Sequence, residues 1–221
     1  LARLHRPAGA AATDTDAKLE VRTEEQAQEI VRKLEGASYR VIGVEKKRRT
    51  KSSNAPYITS TLQQDASSRL RFAPRRTMRI AQNLYEGIEL GGEGSTGLIT
   101  YMRTDSARIS AEAETRVNAW IKEKQGDKYV GTARAVKASP GAQDAHEAIR
   151  PTDVNRTPDS IKQFLSADEY KLYDLIWRRF VASRMAPAVY DQTQVEIEGG
   201  EYVFRANGSV LAFDGFYKIC L

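Results

Sequence analysis

The sequence has little cysteine, little histidine and no long apolar run, and each shortage excludes a class of protein. Its only cysteine, Cys220, rules out an internal disulfide bond and a cysteine-based zinc site. Such cysteine usage is typical of the reducing cytoplasm, which is the expected location. No run of about 18 apolar residues is present, so no membrane span is predicted. The N-terminal residues also lack the continuous apolar stretch of a signal peptide.

Positive charge exceeds negative charge, whereas clustered metal ligands are scarce. The 221 residues carry a formal net charge of +5, which is compatible with a polyanionic partner such as nucleic acid. Asp14 and Asp16 have the first spacing of an Asp-x-Asp-x-Glu cluster for Mg²⁺, but Lys18 stands where the third carboxylate is needed. We therefore expect a solvated loop there and no metal site within this chain.

Two basic segments are candidates for contact with DNA. The run 46–51 precedes turn-forming residues, and we interpret it either as a solvated linker or as a strip that contacts phosphates. Two short helices, predicted at 62–70 and 77–85, are joined by a tight turn. Such a pair is either a helix-turn-helix with a DNA-facing side or an ordinary helical hairpin. Three arginines would line its polar side: Arg75, Arg76 and Arg79.

Hydrophobic periodicity predicts helices in the middle of the chain and strands towards its ends. Capping boxes at Thr23 and Ser166, and a cap at Ser110, predict three helix starts. Alternating apolar residues predict a strand at 39–44. The C-terminal part predicts a strand meander over 192–219, with a turn at Asn207-Gly208 and a last strand at 216–219.

The stretch 97–106, GLITYMRTDS, concentrates reactive side chains around Tyr101. Tyrosine is a weak nucleophile at neutral pH because its phenol has a pKa of about 10. A nearby cation favours the phenolate and neutralises charge that builds up on a phosphate under attack. Arg103 would lie on the same side as Tyr101 if the stretch is an extended strand. Composition alone also allows a half-buried tyrosine at a strand end, next to a helix-capping segment at 104–106.

The same stretch closely resembles the active-site motif of bacterial DNA topoisomerase I, of the type IA class. Four further stretches match that family in the same order, and the resemblance covers about residues 37–221. They are 59–64 (TSTLQQ), 77–86 (TMRIAQNLYE), 145–152 (AHEAIRPT) and 175–183 (LIWRRFVAS). Five motifs in order are much more specific than one, so the resemblance outweighs the interpretation of Tyr101 as a half-buried residue at a strand end.

The resemblance implies a role for each residue of the motifs. Tyr101 would attack a phosphodiester of single-stranded DNA, giving a 5′-phosphotyrosine and a free 3′-hydroxyl, and religation would need no ATP. Arg103 would stabilise the scissile phosphate and Asp105 would support the local arrangement. His146 and Arg150 would position the phosphate and the adjacent DNA. Such an enzyme passes a second strand through the break and relaxes negative supercoils.

The resemblance also implies an α+β multidomain fold. A helical domain at 52–185, which carries the active-site tyrosine, would be inserted into a strand-rich hinge domain of a toroidal gate, formed by 1–51 and 186–221. The family binds Mg²⁺ in an acidic domain that these residues lack, so we expect an internal fragment that is inactive alone. Its expected partners are single-stranded DNA and that acidic domain. A non-catalytic single-stranded DNA-binding module is the alternative, and it predicts a buried Tyr101 far from Arg103 and His146.

Overall fold

The computed structural model describes residues 1–9, 19–131 and 146–220, and these form two compact units. The strand-rich unit consists of Leu1–Thr50 and Val189–Phe213, and the helical unit consists of Lys51–Ala188 and Asp214–Leu221. The mixture of helices with an antiparallel sheet agrees with the expected α+β class. The boundaries between the units lie after residues 50 and 188, whereas the expected domain boundaries lay after residues 51 and 185. Residues 214–221, which were expected in the strand-rich domain, belong to the helical unit. The loop expected around Asp14 and Asp16 lies outside the described residues.

The helices and strands follow one another along the described residues. In chain order they are β1 (Arg3–Pro7), α1 (Glu24–Leu34), β2 (Tyr39–Lys51), α2 (Thr59–Asp65), α3 (Pro74–Glu86), β3 (Ile88–Glu89), β4 (Ser95–Thr96), α4 (Ala111–Gln125), α5 (Pro158–Ile161), α6 (Ala167–Ser183), β5 (Ala188–Gly199), β6 (Tyr202–Phe213) and α7 (Tyr217–Cys220). A π-helical turn, Ala66–Leu70, continues α2. Short 3₁₀ turns lie at Gly91–Glu93, Asp127–Tyr129 and Lys162–Phe164.

The strand-rich unit is built on a four-stranded sheet with the order β1-β6-β5-β2. Strands β5 and β6 form one long antiparallel hairpin, in which Thr193 pairs with Gly208 and Gln194 with Asn207. The expected turn at Asn207-Gly208 is therefore wrong. Cross-strand pairing with β5 carries the chain straight through these two turn-forming residues.

The basic run 46–51 is the second half of β2, so its interpretation as a linker is wrong. Strand β2 lies at the edge of the sheet beside β5. Arg48 pairs with Asp191 of β5 at 3.0 Å, which gives one member of the run a partner within the sheet. Charged side chains on an edge strand also discourage pairing with other chains. Contact of the run with phosphates stays a prediction.

The predicted helix starts are confirmed. Thr23 caps α1 and Ser166 caps α6 in reciprocal capping boxes, and the Ser110 side chain accepts from the backbone N–H of Ala113 at the start of α4. Each cap satisfies backbone donors that the first turn of a helix leaves unpaired. These starts were predictable because a cap depends on residues within a single turn.

The helical unit has a continuous apolar core around α6. Trp120 of α4 and Trp177 of α6 meet edge to face with ring centroids 5.0 Å apart. The Trp177 indole N–H donates to the carbonyl of Val154 at 2.9 Å, so its one polar atom is satisfied inside the core. Trp177 is thus a core residue, as predicted. Helices α3 and α4 pack their buried sides into the same core, which fixes the segments between them.

The expected last strand at 216–219 is wrong, because Tyr217–Cys220 is a single helical turn, α7. The Phe216 N–H donates to the carbonyl of Ala186 at 3.0 Å. The guanidinium of Arg178 on α6 donates to the carbonyl of Ile219 at 2.7 Å. These contacts hold the C-terminal residues on the helical unit, and within the described part of the chain no strand pairs with them.

Candidate active site

Tyr101 lies in an irregular segment between β4 and α4, not on the strand that was expected. The segment nevertheless alternates as an extended chain does: Met102, Thr104 and Ser106 are buried, whereas Tyr101, Arg103 and Asp105 are exposed. The shared side predicted for Tyr101 and Arg103 is therefore present without a strand ladder. Tyr101 is 36% exposed, which leaves its phenol open to a ligand.

Buried apolar neighbours hold Tyr101 at the surface. Leu98, Ile99 and Met102 are at most 1% exposed, and burial of each such side chain contributes about 1.5–3 kcal/mol. The Leu98 N–H donates to the carbonyl of Leu84 on α3 at 2.7 Å. Gly97 passes so close to α3 that a Cβ there would lie 2.7 Å from the Tyr85 carbonyl oxygen. Only glycine permits this approach, so the motif begins firmly attached to α3.

The hydroxyl of Thr59, at the start of α2, fastens the segment on both sides of Arg103. Its one hydrogen is shared between the carbonyls of Met102 at 2.8 Å and Thr104 at 3.0 Å, and its oxygen accepts from the Thr104 N–H at 2.9 Å. The Thr59 N–H also donates to the Thr104 carbonyl at 2.9 Å. The backbone around Arg103 is therefore tied to a helix end by four contacts.

The hydroxyl of Thr100 fastens the segment that carries His146. It donates to the carbonyl of Ala148 at 2.6 Å and accepts from the Arg150 N–H at 3.0 Å. The Thr100 N–H in turn donates to the Arg150 carbonyl at 2.9 Å. These bonds bring His146 to Tyr101, with ring centroids 5.3 Å apart and an interplanar angle of 44°. Two motifs that are far apart in sequence thus meet at one place.

A cavity of about 730 Å³ opens in front of Tyr101. Four of the predicted site residues line it: Tyr101, Arg103, Asp105 and His146. The rest of its wall comes from Ile58, Thr59, Ser60 and Thr104. Arg103 has no ion-pair partner among the residues that the structure describes. A phenol beside a free guanidinium and an imidazole can accept a phosphodiester and stabilise charge on it.

Arg150 does not line this cavity. Its guanidinium donates to a Glu147 carboxylate oxygen at 2.7 Å and to the carbonyl of Pro151 at 3.0 Å, and its side chain is only 13% exposed. The ion pair stiffens the turn next to His146. Direct contact of Arg150 with DNA therefore stays a prediction, whereas its contact with Glu147 is part of the fold.

The three arginines of α3 lie away from the cavity, and their situations differ. All three are exposed, and Arg75 and Arg79 share the side of the helix opposite its buried residues. Arg76 instead donates to Asp168 at 3.1 Å and stacks over the Phe72 ring. The predicted pair of helices is present, and its contact with DNA remains untested.

Sequence reasoning missed three residues that shape the site. The Tyr85 ring meets Tyr101 edge to face at 5.4 Å and is 40% exposed, so it extends the aromatic surface of the site. Thr59 and Thr100 hold the backbone as described above. All three lie inside the matched motifs, which was the one available signal. Their partners are distant in sequence, so local pattern could not assign them a role.

The described residues do not fit a bound Mg²⁺ ion. Within residues 1–9, 19–131 and 146–220, no group of three or more His, Cys, Asp or Glu side chains could hold a metal. The cavity contributes one carboxylate, Asp105, so water, a substrate phosphate and further carboxylates would have to supply the other oxygen ligands of an octahedral Mg²⁺ ion. None of the described helices is long and apolar enough to cross a membrane.

The comparisons with known proteins agree on one family. A sequence model of the family described as DNA topoisomerase matches residues 2–220. The structure is also similar to full-length topoisomerase I from Thermotoga maritima, with a TM-score of 0.76 and 38% sequence identity. That match covers 94% of this chain and 33% of the Thermotoga chain, so this chain spans about a third of that protein's length.

Proposed function

Because the chain belongs to the bacterial DNA topoisomerase I family, of type IA, we propose that it carries the strand-cleaving tyrosine of such an enzyme. The observation behind the proposal is the meeting of Tyr101, Arg103 and His146 around one cavity, from two motifs distant in sequence. The proposed substrate is single-stranded DNA, whose backbone can bring a phosphodiester to an open surface site.

In the proposed reaction the Tyr101 oxygen attacks the phosphorus of a phosphodiester. An oxygen–phosphorus bond forms to Tyr101, and the bond to the 3′-oxygen breaks, so the protein is joined to the 5′-phosphate. The phenolic proton is lost and the departing 3′-oxygen gains one. Arg103 pairs with the charge on the phosphate, and His146 keeps the phenol oriented through its ring contact. Attack of the 3′-hydroxyl on the phosphotyrosine reverses every step, so ATP is not needed.

The wider role is part of the same proposal. Strand passage and relaxation of negative supercoils would belong to the complete enzyme, in which the strand-rich unit is part of the hinge of the gate. The described residues lack the carboxylate set for Mg²⁺, so we propose that an acidic domain supplies it. The chain alone is expected to give little covalent product.

A non-catalytic DNA-binding module fits the geometry less well. It predicted a buried Tyr101 far from Arg103 and His146. Tyr101 is instead 36% exposed, touches the His146 ring and lines one cavity with Arg103. A residue that served packing alone would have little reason to be held outward beside a free guanidinium.

The proposal is tested by trapping the protein on labelled single-stranded DNA and separating the products on a denaturing gel. The chain is assayed alone and with the acidic domain of the family added in trans, in Mg²⁺ buffer. We expect a covalent adduct in the second case, and its loss in Tyr101→Phe, which removes the attacking oxygen and keeps the ring. An adduct that persists in Tyr101→Phe would show that the nucleophile is wrongly assigned.

A further inference from the structure

A second cavity lies beside the Tyr101 cavity, within the helical unit, and differs from it in charge. It has a volume of about 390 Å³ and shares Ile58 with the wall of the Tyr101 cavity. We propose that it binds one nucleobase of the DNA strand whose phosphate lies at Tyr101. The inference rests on the proposed function, because that strand supplies the base.

The ionic groups of this cavity are already committed to one another. The guanidinium of Arg179 lies 3.4 Å from a carboxylate oxygen of Asp65 and donates to the Ala55 carbonyl at 2.8 Å. The Tyr57 hydroxyl donates to the same Asp65 oxygen at 2.6 Å. Burial raises the pKa of Tyr57, with a further contribution from Asp65, and so preserves this donor.

The two cavities differ in charge and therefore suit different ligands. Arg179 pairs with Asp65, so a phosphate in the second cavity would have to compete with a carboxylate for the guanidinium. The Tyr101 cavity has a free guanidinium and an imidazole, which suit a phosphate. A nucleobase is uncharged at neutral pH, and it enters a neutral polar cavity without the cost of burying an unpaired charge. A strand with its phosphate at Arg103 would therefore direct a neighbouring base into the second cavity.

The free polar groups of the second cavity are two amides. Asn54 and Gln64 are exposed, and neither side chain bonds to another residue that the structure describes. Each amide offers two donors and one acceptor, the groups that read the edges of bases. Pro56 and Ala107 contribute apolar wall for the faces of a ring. The volume is near the lower end of the range for small-molecule sites, about 300–1,000 Å³, as expected for a site of one base.

Homopolymer oligonucleotides provide the test, because their phosphates are identical and their register does not matter. Affinities of this chain for dA, dC and dT oligomers about eight nucleotides long are measured by fluorescence anisotropy at low salt. We expect a spread of about three- to tenfold among them, the size of one or two hydrogen bonds. Gln64→Ala combined with Asn54→Ala should reduce the spread to about twofold or less. Gln163→Ala, an exposed amide outside the cavity, should leave it unchanged.

Two further variants separate this inference from the proposed function. Tyr85→Ala should weaken all three oligomers alike, because stacking on an aromatic ring tolerates any base. Arg103→Ala should weaken all three and also an abasic oligomer of equal length. An equal affinity of the wild type for all three oligomers, or a spread that survives the double amide change, would overturn the base site alone. If Arg103→Ala also has no effect, the phosphate site of the proposed function fails as well.

Discussion

Thr59→Val is the sharpest test of how the site is held together. The change keeps the β-branched shape and removes only the hydroxyl, which contacts the backbone on both sides of Arg103. Thr104 is 7% exposed and Met102 is 1% exposed, so water cannot easily replace the lost partner. The Thr104 N–H would be left buried and unpaired, and the Met102 carbonyl would lose a donor.

The expected magnitude follows from these two losses. An unsatisfied buried donor costs about 1–3 kcal/mol and a lost net hydrogen bond about 0.5–1.5 kcal/mol. We therefore expect Thr59→Val to lower the free energy of unfolding by about 2–4 kcal/mol. With a urea m-value of about 1–3 kcal/mol/M, the unfolding midpoint should fall by at least about 0.7 M.

Thr59→Ser is the matched control because it keeps the hydroxyl and loses only a methyl group. It should stay within about 1 kcal/mol of the wild type. It should also restore the affinity for single-stranded DNA that Thr59→Val loses through a displaced Arg103. A Thr59→Val protein within about 0.5 kcal/mol of the wild type would refute the reasoning, since surface changes commonly have that size.

Charge provides the remaining predictions. Arg103→Ala should lower affinity for single-stranded DNA about tenfold at low salt, and it should reduce the slope of log affinity against log salt concentration by about 0.7. Arg76→Ala should change affinity less, because Arg76 is paired with Asp168. Equal losses of affinity in a filter-binding titration would contradict this prediction. In the strand-rich unit, the hydrogen bond from Arg205 holds the pKa of Glu196 below its ordinary value of 4.5. The contribution of Glu196 to stability is therefore present above about pH 4.5 and is lost as the pH falls through the lowered pKa. Glu196→Gln should accordingly flatten the acid side of a plot of unfolding free energy against pH. An unchanged plot would count against this prediction.

Local signals were enough to predict most helices of this chain. Thr23, Ser110 and Ser166 start helices as expected, because each cap and the apolar spacing behind it lie within a few turns. The core role of Trp177 also followed from spacing alone. Interactions of this kind change little with the rest of the fold, so sequence pattern is a sound guide to them.

The failures all arise where a distant partner decides the structure. Asn207-Gly208 is a strong turn signal, yet pairing with β5 keeps it extended. The linker interpretation of the basic run 46–51 fails because β5 pairs with its strand. The expected strand at 216–219 is helical, because its backbone is held by contacts to Ala186 and Arg178. Tertiary contacts override local preference at each of these places.

The motifs predicted which residues would meet, but not which arginine would be free. Arg76 and Arg150 were both expected to contact DNA. Arg76 is instead paired with Asp168, and Arg150 is paired with Glu147. A phosphate that binds either of them must compete with that carboxylate. Arg103 offers a phosphate its full charge, because none of the described residues pairs with it.

Under the proposed function, a cavity with one guanidinium that no described residue pairs with would bind a phosphodiester only weakly in its ground state. In the proposed reaction, attack by Tyr101 would add negative charge to the phosphate oxygens, and Arg103 would then pair with more charge than before. An interaction that strengthens on the way to the transition state lowers the barrier without trapping the substrate. Several free arginines around the cavity would have increased affinity for uncleaved DNA and slowed its release. Arg150 follows His146 closely in sequence, and because it is paired with Glu147 it would add less to ground-state binding of DNA than an unpaired arginine.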